Sequence, residues 1–217
     1  MRTATKNSVY FVSYLILLFL VWAGWVYFIY PWMITLGDKT LAYAVVNSCF
    51  RLLIWVLPVF LYLKYVDKID PMEYLKLRRQ WRKGIWIGLF LSMLNGIIAI
   101  LRFGIPHVNM HDVSWNSILS TSLLIGVIEE IPFRGFIFQK IQERYGFPIG
   151  VLLSSLLFVG IHLPGWILLQ AFSMALVLSI FLFGIVMAVL LTASHSLWSS
   201  IVVHSLNDFL AVVVFHH

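Results

Sequence analysis

The chain has 217 residues, of which 61% are hydrophobic and only 11% are charged, and its formal net charge is +6. Since a soluble globular domain carries about 25% charged residues, this composition excludes an ordinary soluble domain and predicts an integral membrane protein. The basic residues cluster beside apolar segments instead of covering one face, so we expect no nucleic-acid partner.

The apolar segments predict an all-α fold, a polytopic transmembrane helical bundle. A membrane-spanning helix needs about 20 apolar residues, which gives about seven spans, within a range of six to eight. The first apolar stretch is too long for a signal peptide and is expected to be a retained helix. Pro148, Pro164 and the sequences GFPIG and LPGW are expected to separate the last spans. The predicted spans are 9–30, 41–63, 84–101, 117–139, 148–163, 167–192 and 195–214.

The distribution of Lys and Arg predicts the orientation of the bundle. Seven of the fifteen Lys and Arg residues lie in the segment 64–83, and basic loops stay on the cytoplasmic side of a membrane. We therefore expect this loop and the N-terminus to be cytoplasmic, with the C-terminus outside for seven spans and inside for eight. We expect the whole chain, 1–217, to form a single membrane-embedded domain.

The first polar motif inside an apolar stretch is a pair of adjacent glutamates. A carboxylate at mid-bilayer depth costs roughly 2.5–3.5 kcal/mol on insertion scales. Glu129 and Glu130 therefore indicate a polar site inside the membrane. Glu130 and Arg134 are four residues apart and can form an ion pair on one helix face, whereas Glu129 is turned away by about 100°. Pro132, between them, removes a backbone hydrogen bond and is expected to kink the helix.

Two further motifs place imidazole and carboxylate groups in later spans. His162 follows Phe158 by four residues, and His204 precedes Asp208 by four residues. Counted at about 1.5 Å per residue from the cytoplasmic helix ends, both motifs and Glu129 fall at roughly 14–20 Å. Each motif alone has a structural explanation, such as a histidine at a helix end or a His–Asp pair within one helix. Their common depth favours one functional site.

Other polar residues are left open or set aside. Arg51 lies in the second span and either faces the same cavity or extends towards the membrane surface. His107 and His111 lie in an expected exposed loop, where we do not expect a metal site.

The sequences EEIPFR (129–134), FVGIH (158–162) and HSLND (204–208) resemble the three motifs EExxxR, FxxxH and HxxxN/D of one protein family. This is the CPBP family of intramembrane proteases, the CAAX protease and bacteriocin-processing group that is also called Abi. The resemblance covers about residues 117–212, which would form the catalytic core, and the three motifs occur in the family's order.

The resemblance implies an intramembrane endopeptidase of the CAAX prenyl protease type. Glu129 would activate the attacking water with His162 as its partner, the third motif would hold the oxyanion or orient the water, and the second glutamate with Arg134 would brace the first. The implied catalytic residues are Glu129, Glu130, Arg134, His162, His204 and Asp208.

The resemblance also implies partners and a location. The expected partners are the lipid bilayer and a membrane-associated peptide or protein substrate, including lipidated ones, and the expected location is a prokaryotic cell membrane. We expect no cofactor, with zinc as the alternative because Glu, His and Asp are zinc ligands. The alternative functions are a non-proteolytic membrane scaffold or bacteriocin self-immunity protein and, less favoured, a proton-coupled transporter.

Overall fold

The structure is a computed structural model that describes residues 2–35, 37, 39–106 and 113–215. All regular secondary structure in these ranges is helical, as the sequence predicts. The helices are α1 (2–34), α2 (Leu41–Asp67), the short α3 (Pro71–Tyr74), α4 (Trp81–Phe103), α5 (115–145), α6 (Phe147–Leu168), α7 (Met174–Ser194) and α8 (Leu197–Val214).

Six helices in the described part of the chain are long and apolar enough to cross a membrane. They are α1 from Ser8, α2, α4, α6, α7 and α8. Helix α5 is also long and occupies the place of the predicted span 117–139. It is not among these six apolar helices because it carries both glutamates and Arg134. A polytopic bundle of six to eight spans is therefore confirmed.

The expected break at LPGW is wrong. Helix α6 continues through Pro164 to Leu168, and the turn follows there, where Gln170 has a positive φ of 53°. A proline in a helix crowds the carbonyl four residues earlier, and that residue here is Gly160, which brings no side chain to the crowded turn. The next helix consequently begins at Met174 instead of 167.

Two prolines mark irregular turns in the first two helices. The π-helical turns Trp25–Ile29 and Leu52–Val56 each end two residues before a proline, Pro31 and Pro58 respectively. Because proline has no N–H to donate and its ring displaces a preceding carbonyl, the helix cannot keep regular hydrogen bonding at that point.

Helix α8 is held close to its neighbours by glycines. A Cβ at Gly84 of α4 would lie 2.5 Å from Ser196 Oγ, and a Cβ at Gly126 of α5 would overlap the carbonyl oxygen of Ile201. Glycine is the residue that allows two backbones to approach this closely in a membrane protein. The third polar motif, on α8, is thereby brought against the first, on α5.

Aromatic packing fixes α5 against α2 and α6. Phe133 is completely buried, and its ring lies 5.8 Å from that of Trp55 and 5.0 Å from that of Phe158. Such tilted and edge-to-face pairs contribute about 0.5–1.5 kcal/mol beyond the burial itself. Phe133 lies between the two ends of the first motif, so this packing also positions the polar residues beside it.

Candidate active site

The first motif spans a change of helix type in α5. The α-helical stretch Ile125–Glu130 is followed by the π-helical stretch Ile131–Phe138, which contains Pro132. The irregularity that we expect at Pro132 is therefore present as a widened turn, a feature that is frequent at functional sites. The ion pair expected between Glu130 and Arg134 is present, with 3.1 Å between Oε1 and Nη1.

Glu130 lies at the centre of the polar cluster and is completely buried. Its Oε1 is 2.7 Å from Nδ1 of His204, and since an ionised carboxylate only accepts, Nδ1 carries the donated hydrogen. The guanidinium of Arg134 lies 4.0 Å from the centre of the Phe158 ring, and neither of its two Nη atoms makes a hydrogen bond to another described residue. Its attraction to Glu130 is accordingly electrostatic, supplemented by the cation–π contact.

The other ring nitrogen of His204 lies between two carboxylates. Nε2 is 3.8 Å from Oε2 of Glu129 and 3.7 Å from Oδ2 of Asp208. Both distances are too long for direct hydrogen bonds but can be bridged by a water molecule. The His204–Asp208 pair within one helix thus also faces the first glutamate of α5.

The carboxylate of Glu129 is held by a residue from α2. Nη2 of Arg51 lies 3.2 Å from Oε1 of Glu129, and both side chains are nearly buried. The question that the sequence leaves open is answered by this contact, because Arg51 faces the cavity. Glu130 therefore braces His204, and it is Arg51, and not Glu130 with Arg134, that contacts Glu129.

His162 reaches the same cavity from α6. Its Nδ1 lies 2.7 Å from the carbonyl oxygen of Phe158. A carbonyl oxygen only accepts, so Nδ1 donates and Nε2 is the ring nitrogen left for a substrate or a water. Its ring packs edge-to-face on Phe158, with 4.9 Å between ring centres, and beside Trp166.

The side chains of all three motifs meet in one cavity of about 310 Å³. A larger groove of about 670 Å³ lies between α1 and α2, but it is lined by aliphatic and aromatic side chains with one serine, and it offers no acid, histidine or arginine for chemistry. We therefore place the candidate site in the smaller cavity. It is lined by Arg51, Thr121, Ile125, Glu129, Phe158, His162, Ser179, Ile180, Phe183, His204, Asn207 and Asp208.

Comparison with known families agrees with this location. Residues 111–210 match the family model described as type II CAAX prenyl endopeptidase Rce1-like. This part of the chain is similar to that family. No curated protein and no solved structure matched the chain. The matched range covers α5 to α8 except for the last residues of α8, and the Rce1-like family consists of CAAX-type proteases.

The histidines and carboxylates of the site are of the types that bind zinc. Within the described ranges, no group of three His, Cys, Asp or Glu residues is arranged to hold a metal ion. Both histidines hold Nδ1 with another partner, which leaves Nε2 as the ring nitrogen that a metal ion would take.

Two asparagines extend the site, Asn207 within the matched range and Asn95 outside it. Asn207 donates to Oδ1 of Asp208 at 3.2 Å, and Asn95 of α4 donates to Oδ1 of Asn207 at 3.1 Å. Neither asparagine is among the residues that the motifs identify. Asn95 could have been noticed in the sequence, because it is an isolated polar residue in an apolar span. His107 and His111 lie outside the described residues.

Proposed function

We propose that the chain is an intramembrane endopeptidase that hydrolyses a peptide bond of a membrane-associated protein or peptide, with Glu129 as the base that activates water. The observation that carries the proposal is the grouping around Nε2 of His204, which has Glu129 Oε2 at 3.8 Å and Asp208 Oδ2 at 3.7 Å within one cavity. The family of CAAX-type proteases supports the reaction class.

The proposed reaction begins with a water between these groups. Glu129 Oε2 takes one proton from the water while its oxygen attacks the carbonyl carbon of the substrate. His162, whose Nδ1 is occupied, presents Nε2 as an acceptor for the second hydrogen of the same water. The negative charge moves from the glutamate to the carbonyl oxygen of the tetrahedral intermediate.

The third motif is suited to stabilise that charge. In its imidazolium form His204 keeps Nδ1–H on Glu130 and offers Nε2–H to the oxyanion. Asp208 orients the imidazole ring of His204 and, before the attack, the water molecule. The C–N bond then breaks, Glu129 gives its proton to the leaving amine, and the products are a carboxylic acid and an amine.

The proposed substrate is a membrane-associated peptide, including lipidated ones, because the cavity lies among spans that face the bilayer. We further propose a prokaryotic cell membrane as the location, with the N-terminus and the basic loop 64–83 on the cytoplasmic side. The proposed chemistry requires no metal.

Peptide cleavage by the purified protein tests the proposal. Wild type, Glu129→Gln and the control Glu143→Gln would be incubated in proteoliposomes with a library of membrane peptides that includes prenylated C-terminal peptides. Glu143 is a suitable control because it lies on the same helix with its side chain 55% exposed. Each protein would be assayed with and without a strong chelator.

We expect Glu129→Gln to abolish cleavage, whereas Glu143→Gln and the chelator leave it unchanged. Loss of cleavage with the chelator, restored by zinc, would replace the metal-free chemistry with metal-dependent hydrolysis. Absence of cleavage by wild type, or equal cleavage by wild type and Glu129→Gln, would refute the proposal and favour a membrane scaffold or an immunity protein.

A further inference from the structure

Arg51 lies outside the range that matches the protease family, and the proposed reaction assigns it no role. Its side chain is nearly buried in α2, and its guanidinium contacts Oε1 of Glu129 at 3.2 Å. We propose that Arg51 is a positioning residue for hydrolysis, which holds Oε1 so that Oε2 is the oxygen that takes the proton from water. This inference rests on the proposed function, because it requires that Glu129 be the base.

The guanidinium is held in place by α5 itself. Nη1 of Arg51 donates to the carbonyl oxygen of Ser120 at 3.3 Å while Nη2 contacts Glu129. One turn earlier on α2, Asn47 donates to Oδ1 of Asn116 at 2.9 Å and to Oγ of Ser120 at 3.2 Å. These contacts fix α2 against α5, so Arg51 is a rigid support for the carboxylate.

The charges in the site make this support specific to Glu129. Three carboxylates lie in the cluster, and Arg134 is paired with Glu130. Asp208 is 29% exposed and has Asn207 as its hydrogen-bond donor. Among the described residues Arg51 supplies the guanidinium that pairs with Glu129, and without it this carboxylate would lie beside two like charges in a site of low dielectric.

A carboxylate that is held in one orientation always directs the same oxygen towards the water, whereas a free carboxylate does not. A free carboxylate rotates about its last bond and exchanges its two oxygens, whereas a guanidinium contact on Oε1 fixes the plane of the group. In the structure that plane directs Oε2 towards Nε2 of His204. Misplacement of a reacting group by about 1 Å can reduce the rate about 10²-fold, so the contact is expected to affect turnover more than substrate binding.

Replacement of Arg51 tests the inference on a peptide that wild type cleaves. The variants are Arg51→Met, Arg51→Lys and Arg51→Ala, with Arg102→Met as the control because Arg102 is an exposed arginine at the end of α4. We expect Arg51→Met to lower kcat about 10²-fold with KM within about threefold, and Arg51→Lys to retain part of kcat. Added guanidinium ions should restore part of kcat to Arg51→Ala, and Arg102→Met should match wild type.

Three results would overturn the positioning role. Turnover of Arg51→Met at the wild-type rate would show that the contact is dispensable. A loss confined to KM would instead indicate that Arg51 binds an anionic group of the substrate. A purely structural role would lower kcat without rescue by guanidinium.

A stability measurement separates this inference from the proposed function. Apparent Tm would be measured for Arg51→Met, Glu129→Gln and the double variant. Loss of one partner leaves a buried charge uncompensated, so the double variant should melt above Arg51→Met alone, and additive effects would contradict the pairing. If hydrolysis proves independent of Glu129, the proposed function and the positioning role both fail, while the pairing is still decided by Tm.

Discussion

Gly126 sets the distance between the two helices that carry the proposed base and His204. It lies one turn before the two glutamates on α5, and a Cβ there would overlap the carbonyl oxygen of Ile201 and lie 2.5 Å from Oγ of Ser205 on α8. The hydroxyl of Ser205 donates to the carbonyl of Leu123 at 2.9 Å and ties the same helices together. The variant Gly126→Ala therefore adds a methyl group where the two helices touch.

The magnitude follows from the missing space. A carbon and an oxygen atom approach to about 3.3 Å without repulsion, so the Ser205 contact alone is short by about 0.8 Å, and the Ile201 carbonyl belongs to the backbone and cannot rotate away. We expect α5 and α8 to separate by roughly 1 Å, which would lengthen the 2.7 Å contact between Glu130 and His204 to about 3.7 Å and break that hydrogen bond. Overpacking of this kind costs about 1–3 kcal/mol of stability, and a displacement of this size lowers the rate about 10²-fold.

The assay measures kcat/KM for peptide cleavage together with apparent Tm. Gly24→Ala is the matched control, because a Cβ at Gly24 meets no other atom within 4 Å. We expect Gly126→Ala to lose about 10²-fold in kcat/KM while Gly24→Ala matches wild type. Activity of Gly126→Ala within about threefold of Gly24→Ala would refute the view that the distance between these helices controls the site.

Two further predictions concern the surroundings of the base, and a third concerns the loop before α4. Glu130→Gln should lower kcat about 10²-fold, because an amide holds the N–H of His204 less strongly than a carboxylate does; single-turnover cleavage measures this. Asn95→Leu should lower kcat about threefold to tenfold by removing the hydrogen bond to Asn207, with apparent Tm unchanged. Burial lowers the pKa of Lys76, in the loop before α4, from its ordinary value of 10.5. The unfolded chain therefore binds more protons as pH approaches 10.5, so apparent Tm of wild type should rise relative to Lys76→Met over that range.

The helical bundle and the meeting of the motifs could be predicted from the sequence. Long apolar runs determine spans almost independently of tertiary contacts, because every backbone group in lipid must be bonded within its own helix. The cost of burying a charge also makes Glu129, His162 and Asp208 conspicuous against their apolar surroundings. Their predicted common depth depends only on the rise of a helix and on alternating directions, and in the structure these residues line one cavity.

The contact between Arg51 and Glu129 could not be predicted in the same way. It depends on the rotation and register of α2 against α5, and both helices contain π-helical turns, Leu52–Val56 and Ile131–Phe138, that change the number of residues per turn near the site. A sequence pattern that assumes 3.6 residues per turn cannot place a side chain across such a turn. The continuation of α6 through Pro164 has a separate, local reason, because Gly160 brings no side chain to the turn that the proline crowds.

The range 111–210 and the helices that precede it contribute different kinds of residue to the site. The range 111–210 supplies the groups proposed to react, whereas Arg51 on α2 and Asn95 on α4 make contacts that hold those groups from outside it. Reactive groups must have particular chemistry, so short motifs reveal them. A supporting contact needs only a suitable donor at the right place in the fold. We therefore expect that supporting residues are identified from the structure and not from the motifs. Arg51 is such a residue, since its replacement should lower turnover while all three motifs are unchanged.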